Sequence, residues 1–162
     1  MKITADQIRN LRDKTGAPVM RVKKLLEEIM GDLPQNAKDD KVQASEDKVE
    51  RILRKEGYEK ASKKAGRSTS QGIIETYVHH SGKIASMIEI FCETDFVARN
   101  ELFKNLAHDL ALQVASAGTK DLEKQEYIKD PSKLVGNLVK ETIAKTGENI
   151  RIGRTFRVEL GK

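Results

Sequence analysis

Tryptophan is absent from this chain of 162 residues, and aromatic side chains make up only 4% of it against 34% charged residues. That balance describes a hydrophilic, helix-rich, soluble protein. A single cysteine, Cys92, excludes an intrachain disulfide framework and a cysteine-only metal cage. No apolar run approaches the roughly 18 residues a membrane span needs. The opening Met1-Lys2-Ile3-Thr4-Ala5-Asp6-Gln7 is polar and turns at once into a helix, so neither a signal peptide nor an anchor is expected and the chain is assigned to the cytoplasm. Charge of one sign does not dominate either. The net charge is +5, with 16 basic against 12 acidic residues over 1–66 and 14 against 13 over 67–162. So mild an excess in the first part suits an acidic protein surface or RNA equally well.

What is present is organised around Cys92-Glu93-Thr94-Asp95-Phe96-Val97-Ala98-Arg99-Asn100. Before it, Ile84, Ile88, Ile90 and Cys92 alternate with Met87, Glu89 and Phe91, the period of a strand. After it, Leu102, Phe103, Leu106, Ala107, Leu110, Ala111 and Val114 recur three and four apart, one face of a helix ending near Gly118. At the corner, Thr94 or Asp95 can cap a first short turn and Asn100 can cap the long helix. Phe96 then falls on a tight turn at an end of the sheet. Local physics allows a plain reading too: an acid in a first turn complements the helix dipole for about 0.3–1 kcal/mol, and an aromatic residue near a helix start commonly packs as a staple.

In chain order, Thr4 and Gln7 form a capping box, with Ile3 and Ile8 as staple, for a helix ending at Gly16. Pro18 suits a first helical position, and Val19, Val22, Leu25, Leu26 and Ile29 form the buried stripe of a second helix stopped by Gly31. Asp32 to Ala44 reads as a long mobile loop. Ser45-Glu46-Asp47 opens a third helix through Val49, Ile52 and Leu53 to Gly57, and Lys60 to Arg67 is a basic connector, helical in its middle at most. Gly72 to His80 is a strand turned by Ser81-Gly82 into the next. Thr119 to Lys129 is irregular, Asp130-Pro131 opens a helix with the stripe Leu134, Val135, Leu138, Val139 and Ile143, and Gly147 stops it. The last strand alternates Ile150, Ile152, Phe156, Val158 and Leu160 against Arg151, Thr155, Arg157 and Glu159, with Gly153 a natural bulge.

The expected fold is α+β: a three-helix bundle over 1–58, a connector over 59–70 and, over 71–162, a three-stranded antiparallel sheet with helices on one face. Three strands leave two edges and an uncovered face, a reason to expect self-association. Two other classes of function find little support. Catalysis or metal binding would use Cys92 with His79, His80 or His108, yet a lone strand cysteine is commonly inert, and adjacent strand histidines point to opposite faces. RNA binding would use the connector with Arg151, Arg154 and Arg157, but aromatics are not interleaved with the basic residues. No cofactor, metal site or catalytic residue is expected.

The run Thr94-Asp95-Phe96-Val97-Ala98-Arg99-Asn100 resembles the signature of bacterial translation elongation factor Ts, the nucleotide-exchange factor for elongation factor Tu. The likeness extends to Ile3-Thr4 through Leu11-Arg12, to Thr15-Gly16-Ala17, Met20 and Lys23-Lys24, to Lys60–Arg67, to Lys129-Asp130-Pro131-Ser132 and to Gly147-Glu148-Asn149-Ile150. The resemblance implies an N-terminal bundle of the ubiquitin-associated type and a core domain that binds GDP-bound and nucleotide-free elongation factor Tu. It implies that Asp95 and Phe96, with Thr94 and Val97, enter the partner's GTPase domain near its magnesium site. It also implies a second contact through Arg12, Met20 and Lys23. Pro18-Val19 stands where the family more often has glycine and methionine, and the Asp32–Ala44 stretch looks inserted. Longer members carry two core subdomains, whereas this chain has room for one. Shortened relatives of that kind form homodimers, which is expected here.

Overall fold

The computed structural model describes residues 2–34 and 36–162. The chain divides into two compact units, Met1–Lys60 and Ala61–Lys162.

In the first unit, helix α1 (Ala5–Thr15) starts on a complete Thr4/Gln7 capping box and ends on Gly16, whose φ of 69° is a left-handed conformation that glycine adopts without a Cβ clash. Helix α2 (Val19–Met30) has Pro18 as its N-cap, one position earlier than expected. Its buried stripe is Val22, Leu25, Leu26 and Met30, while Val19 is exposed. Ile29 packs half-buried against the same core, so the stripe differs from the expected one only in losing Val19 and gaining Met30. Helix α3 (Asp39–Lys64) departs furthest from expectation. The segment expected to be a mobile loop is helical from Asp39, with Asp39 and Asp40 in its first turn where the helix dipole favours them; Gln35 lies outside the described residues. Ser45, expected as a cap, sits inside the helix and bonds back to the Lys41 carbonyl at 2.9 Å. Nor does Gly57 stop α3. A helical glycine costs about 1 kcal/mol, and here ion pairs hold the surrounding turns: Glu56 accepts two donors of Arg21, and Glu50 binds Arg54 at 2.7 Å and Lys14 at 3.3 Å. The expected connector is accordingly helical as far as Lys64. Leu11, Val22, Leu25, Leu26, Met30, Val49 and Leu53 make the core of this unit.

The second unit is built on the antiparallel sheet β1-β2-β5, with β1 (Gln71–Val78), β2 (Ile84–Cys92) and β5 (Ile150–Glu159). Strand β1 ends before the histidine pair. His79 and His80 lie in the turn, their rings 4.0 Å apart rather than on opposite faces of a strand. Ile88 pairs with Thr155 but Ile90 with Ile152, so β5 carries one extra residue between them, a bulge at Gly153-Arg154. A Cβ on Gly153 would come within 2.5 Å of the Phe91 ring, which explains the glycine. The bulge also corrects the alternation expected for this strand. Ile150 and Ile152 face the core, and beyond the bulge Thr155 and Arg157 turn inward while Phe156, Val158 and Leu160 are 51%, 68% and 75% exposed.

One face of the sheet is covered by helices; α5 (Glu101–Ala117) lies against β1 and β2. Its buried side is Phe103, Leu106, Ala107, Leu110, Ala111 and Val114, with Leu102 exposed instead of joining them. After a short 3₁₀ turn at Leu122–Lys124 come β3 (Glu126–Tyr127) and β4 (Asp130–Leu134), a small antiparallel pair. Asp130-Pro131 therefore lies in a strand and does not open a helix. Helix α6 (Val135–Thr146) begins five residues later, its first N–H bonded to the Gln125 carbonyl at 2.9 Å, and Gly147 ends it at a φ of 80°. Leu134 is exposed, and Val135, Val139 and Ile143 enter the core. The architecture is α+β, with a three-stranded antiparallel sheet covered by helices on one face.

Candidate functional site

At the corner after β2 the chain makes one turn of helix, α4 (Asp95–Ala98), between its own side-chain cap and that of α5. The Thr94 hydroxyl oxygen accepts from the Val97 N–H at 3.4 Å, and the Asn100 side chain accepts from the Leu102 N–H at 2.8 Å. A segment of four residues has too few internal hydrogen bonds to persist alone; this one is fixed at both ends and anchored in its middle. Val97 and Ala98 are buried, at 5% and 8% exposure. On the opposite side Phe96 is 78% exposed, and the Asp95 carboxylate lies in solvent 3.1 Å from the Arg99 guanidinium. Of the four signature residues, Val97 anchors, Thr94 caps, and Asp95 and Phe96 are presented. Phe96 does not act as a staple against the following helix.

The corner is also held from outside by residues that motif reading of the corner itself does not supply. Glu148, just after α6, accepts the Thr94 N–H at 3.0 Å on one carboxylate oxygen and the Thr94 hydroxyl at 2.6 Å on the other. In return the Glu93 carboxylate accepts the Asn149 N–H at 2.6 Å. Asn149, itself buried, donates to the carbonyls of Ala65 and Arg67, and the Arg67 guanidinium lies 3.5 Å from Glu93. Lys64 donates to the Gly147 carbonyl at 2.7 Å. Cys92 is fully buried and its thiol donates to the Thr94 carbonyl at 3.1 Å. Burial pushes that thiol up to about 11, with the charge of Glu148 acting the same way, so it stays protonated and inert at neutral pH.

Comparison with known proteins gives the family. The family model described as "Elongation factor TS" matches residues 93–162, a span that begins at Glu93 and takes in both halves of the corner network. The protein named Elongation factor Ts of Thermotoga neapolitana is 40% identical over 208 aligned residues, covering 100% of this chain and 99% of the relative. The chain belongs to the elongation factor Ts family. Proteins of the same name from Finegoldia magna and Coprothermobacter proteolyticus are 35% and 34% identical, again over 99% and 100% of this chain. The chain is thus a translation elongation factor by family. As a member of elongation factor Ts it is short: an alignment of 208 residues to a chain of 162 leaves the Thermotoga relative with internal stretches that this one lacks.

The other elongation factor Ts positions of the sequence reading lie in the first unit. Arg12 on α1 and Met20 and Lys23 on α2 are all exposed, Met20 at 73%. Lys23 lies 3.7 Å from Glu27 one helical turn on. Glu93 stands in the organising run and Glu148-Asn149 in the Gly147–Ile150 stretch of the resemblance, but no local pattern gives these three a role at the corner. Their partners lie 54 and 56 residues away, beyond the reach of any local pattern.

Among the described residues no helix is long and apolar enough to cross a membrane.

Proposed function

We propose that this chain is the guanine-nucleotide exchange factor for elongation factor Tu, acting in the cytoplasm by binding rather than by chemistry of its own. Asp95 and Phe96 are the wedge: they enter the partner's GTPase domain beside its magnesium site, and Arg12, Met20 and Lys23 form a second contact. The observation that supports this reading most directly is a phenylalanine ring held out in water on a short turn that Thr94 caps at its start and that the capped start of α5 follows directly. Leaving such a ring exposed sacrifices about 1.5–3 kcal/mol of burial, which a partner surface would recover. Perturbing Mg²⁺ coordination removes charge neutralisation from the nucleotide phosphates and so weakens GDP. Linkage then requires that nucleotide weaken the factor's hold by the same ratio, so that GTP loading expels it for reuse. The uncovered apolar face of the sheet supports a homodimer as the working form.

The test is release of a fluorescent GDP analogue from elongation factor Tu, with wild type and Phe96→Ala. Acceleration by the wild type, reduced at least about tenfold in the variant as expected for loss of a central aromatic contact, supports both function and wedge. Absence of acceleration sinks the exchange-factor reading. Undiminished acceleration in the variant moves the mechanism to Asp95 or the N-terminal contact.

A further inference from the structure

We propose that Glu148 is a positioning residue for the exchange wedge, acting through Thr94; the inference rests on the reading of Asp95 and Phe96 given above. Thr94 does two jobs with one hydroxyl. Its oxygen accepts the Val97 N–H, which requires a lone pair aimed into the turn. Its hydrogen therefore has to point elsewhere, and it points to Glu148 at 2.6 Å, while the second oxygen of the same carboxylate takes the Thr94 N–H at 3.0 Å. A bidentate carboxylate thus fixes both the backbone and the rotamer of the residue on which α4 is built. Such charge-assisted bonds are the stronger and more directional kind.

The carboxylate is itself held in place. Gly147 ends α6, and the Glu148 N–H lies 3.5 Å from the Thr146 hydroxyl. Next to it the Asn149 N–H is taken by Glu93, the residue preceding Thr94. Two adjacent turns therefore each lend a carboxylate to the other's backbone. This cross-clasp joins the end of α6 to the start of α4, and the position of Phe96 depends on an element 54 residues downstream. Within and just past α4, the remaining backbone bonds are Ala98 N–H to the Thr94 carbonyl and Arg99 N–H to the Asp95 carbonyl, both at 3.2 Å, and Asn100 N–H to the Val97 carbonyl at 2.9 Å. The first of these also passes through Thr94. Freed of the clasp, the turn would lose its cap, and the ring would be offered over a range of positions. A site built for transmission of force to a partner tolerates little of that looseness.

The experiment uses the full chain and reads two quantities. Amide hydrogen exchange of the isolated protein follows the N–H groups of Val97, Ala98 and Arg99 in wild type, Glu148→Ala and Glu148→Gln. Exchange about tenfold faster in Glu148→Ala is expected, from loss of hydrogen bonds to a charged group, with an intermediate effect in Glu148→Gln, which keeps one acceptor, and unchanged protection across β1 and β2. GDP release from elongation factor Tu is then measured with Glu148→Ala, Phe96→Ala and the double variant. Glu148→Ala should slow the maximal rate, and the double variant should be no slower than Phe96→Ala alone, because Glu148 acts through the ring's placement. Unchanged protection of 97–99, loss of protection across the whole sheet, or additive losses in the double variant would each overturn the proposal. If wild type fails to accelerate release, the exchange reading fails, and the hydrogen-exchange arm still decides whether Glu148 holds the turn.

Discussion

Glu89 and Arg154 show how single residues stabilise the irregular point of the sheet. At the bulge, Arg154 donates its backbone N–H to Glu89 at 3.1 Å and its Nε at 2.9 Å, and the Arg151 guanidinium stacks 4.6 Å from the Phe91 ring alongside. The hydrogen bonds from Arg154 hold the Glu89 carboxyl at about 2, below its usual 4.5. A carboxylate whose folded pKa is depressed contributes stability that is present above pH 4.5 and is lost as pH falls from 4.5 towards 2. Urea unfolding of wild type and Glu89→Gln should therefore differ most near neutral pH and converge through that window; a gap independent of pH would show that the charge plays no part. Glu50 and Glu56, held low by Arg54 and Arg21 despite partial burial, act in the same direction. At this scale, legibility followed sequence distance. The caps Thr4, Gln7 and Asn100 read directly because each meets its partner within three residues. Glu148 did not, because its partner is across the fold.

The elements least legible in sequence are those whose ends are fixed by tertiary contacts. Helix α6 has no side-chain cap; its first N–H is satisfied by the carbonyl of Gln125 from the preceding segment. Strand β3 and the turn into β4 are anchored to α5 by Gln113, which is fully buried. Its amide nitrogen donates to the Glu126 carbonyl at 3.0 Å and its oxygen accepts the Ile128 N–H at 2.9 Å. Asp109, one turn earlier, takes the Tyr127 hydroxyl at 2.8 Å and the Lys129 ammonium at 2.6 Å. Burial and that carboxylate push the Tyr127 phenol well above its ordinary range. Replacing Gln113 by Leu keeps the volume and strands two backbone groups, so a loss of about 2 kcal/mol or more is expected in chemical denaturation. Rapid exchange of the Ile128 N–H should accompany it. A loss below about 0.5 kcal/mol would mean that water replaces the amide without cost. Helix α3 is illegible for the opposite reason: glycine and serine are local stop and start signals, and the surrounding helix formers, with ion pairs to α1 and α2, outweigh them.

At the scale of the molecule, the sheet leaves one face without helices. Ile74 and Val78 on β1, Met87 on β2 and Phe156, Val158 and Leu160 around β5 are all exposed there, and the register places Met87 beside Phe156. Apolar patches of this kind are a common mark of association surfaces, and in the homodimer proposed above a second copy presenting the same patch would cover it about a two-fold axis. Sedimentation of wild type should give the mass of two chains, and Phe156→Lys with Val158→Lys should give that of one with its circular dichroism unchanged. A wild type that sediments as a single chain would refute the homodimer.

The order of most elements, the two capped starts at Thr4 and Asn100, the corner at Thr94–Asn100 and the family are all legible along the chain. These depend on periodicity, local hydrogen bonds and contiguous residues, which are all short-range. Folding alone settles which side chains of β5 face water, because a single extra residue at Gly153 reverses every side chain after it. It alone placed Glu148 against Thr94 and Gln113 under the β3–β4 pair, since a hydrogen bond between residues far apart in the chain leaves no trace in the pattern around either one.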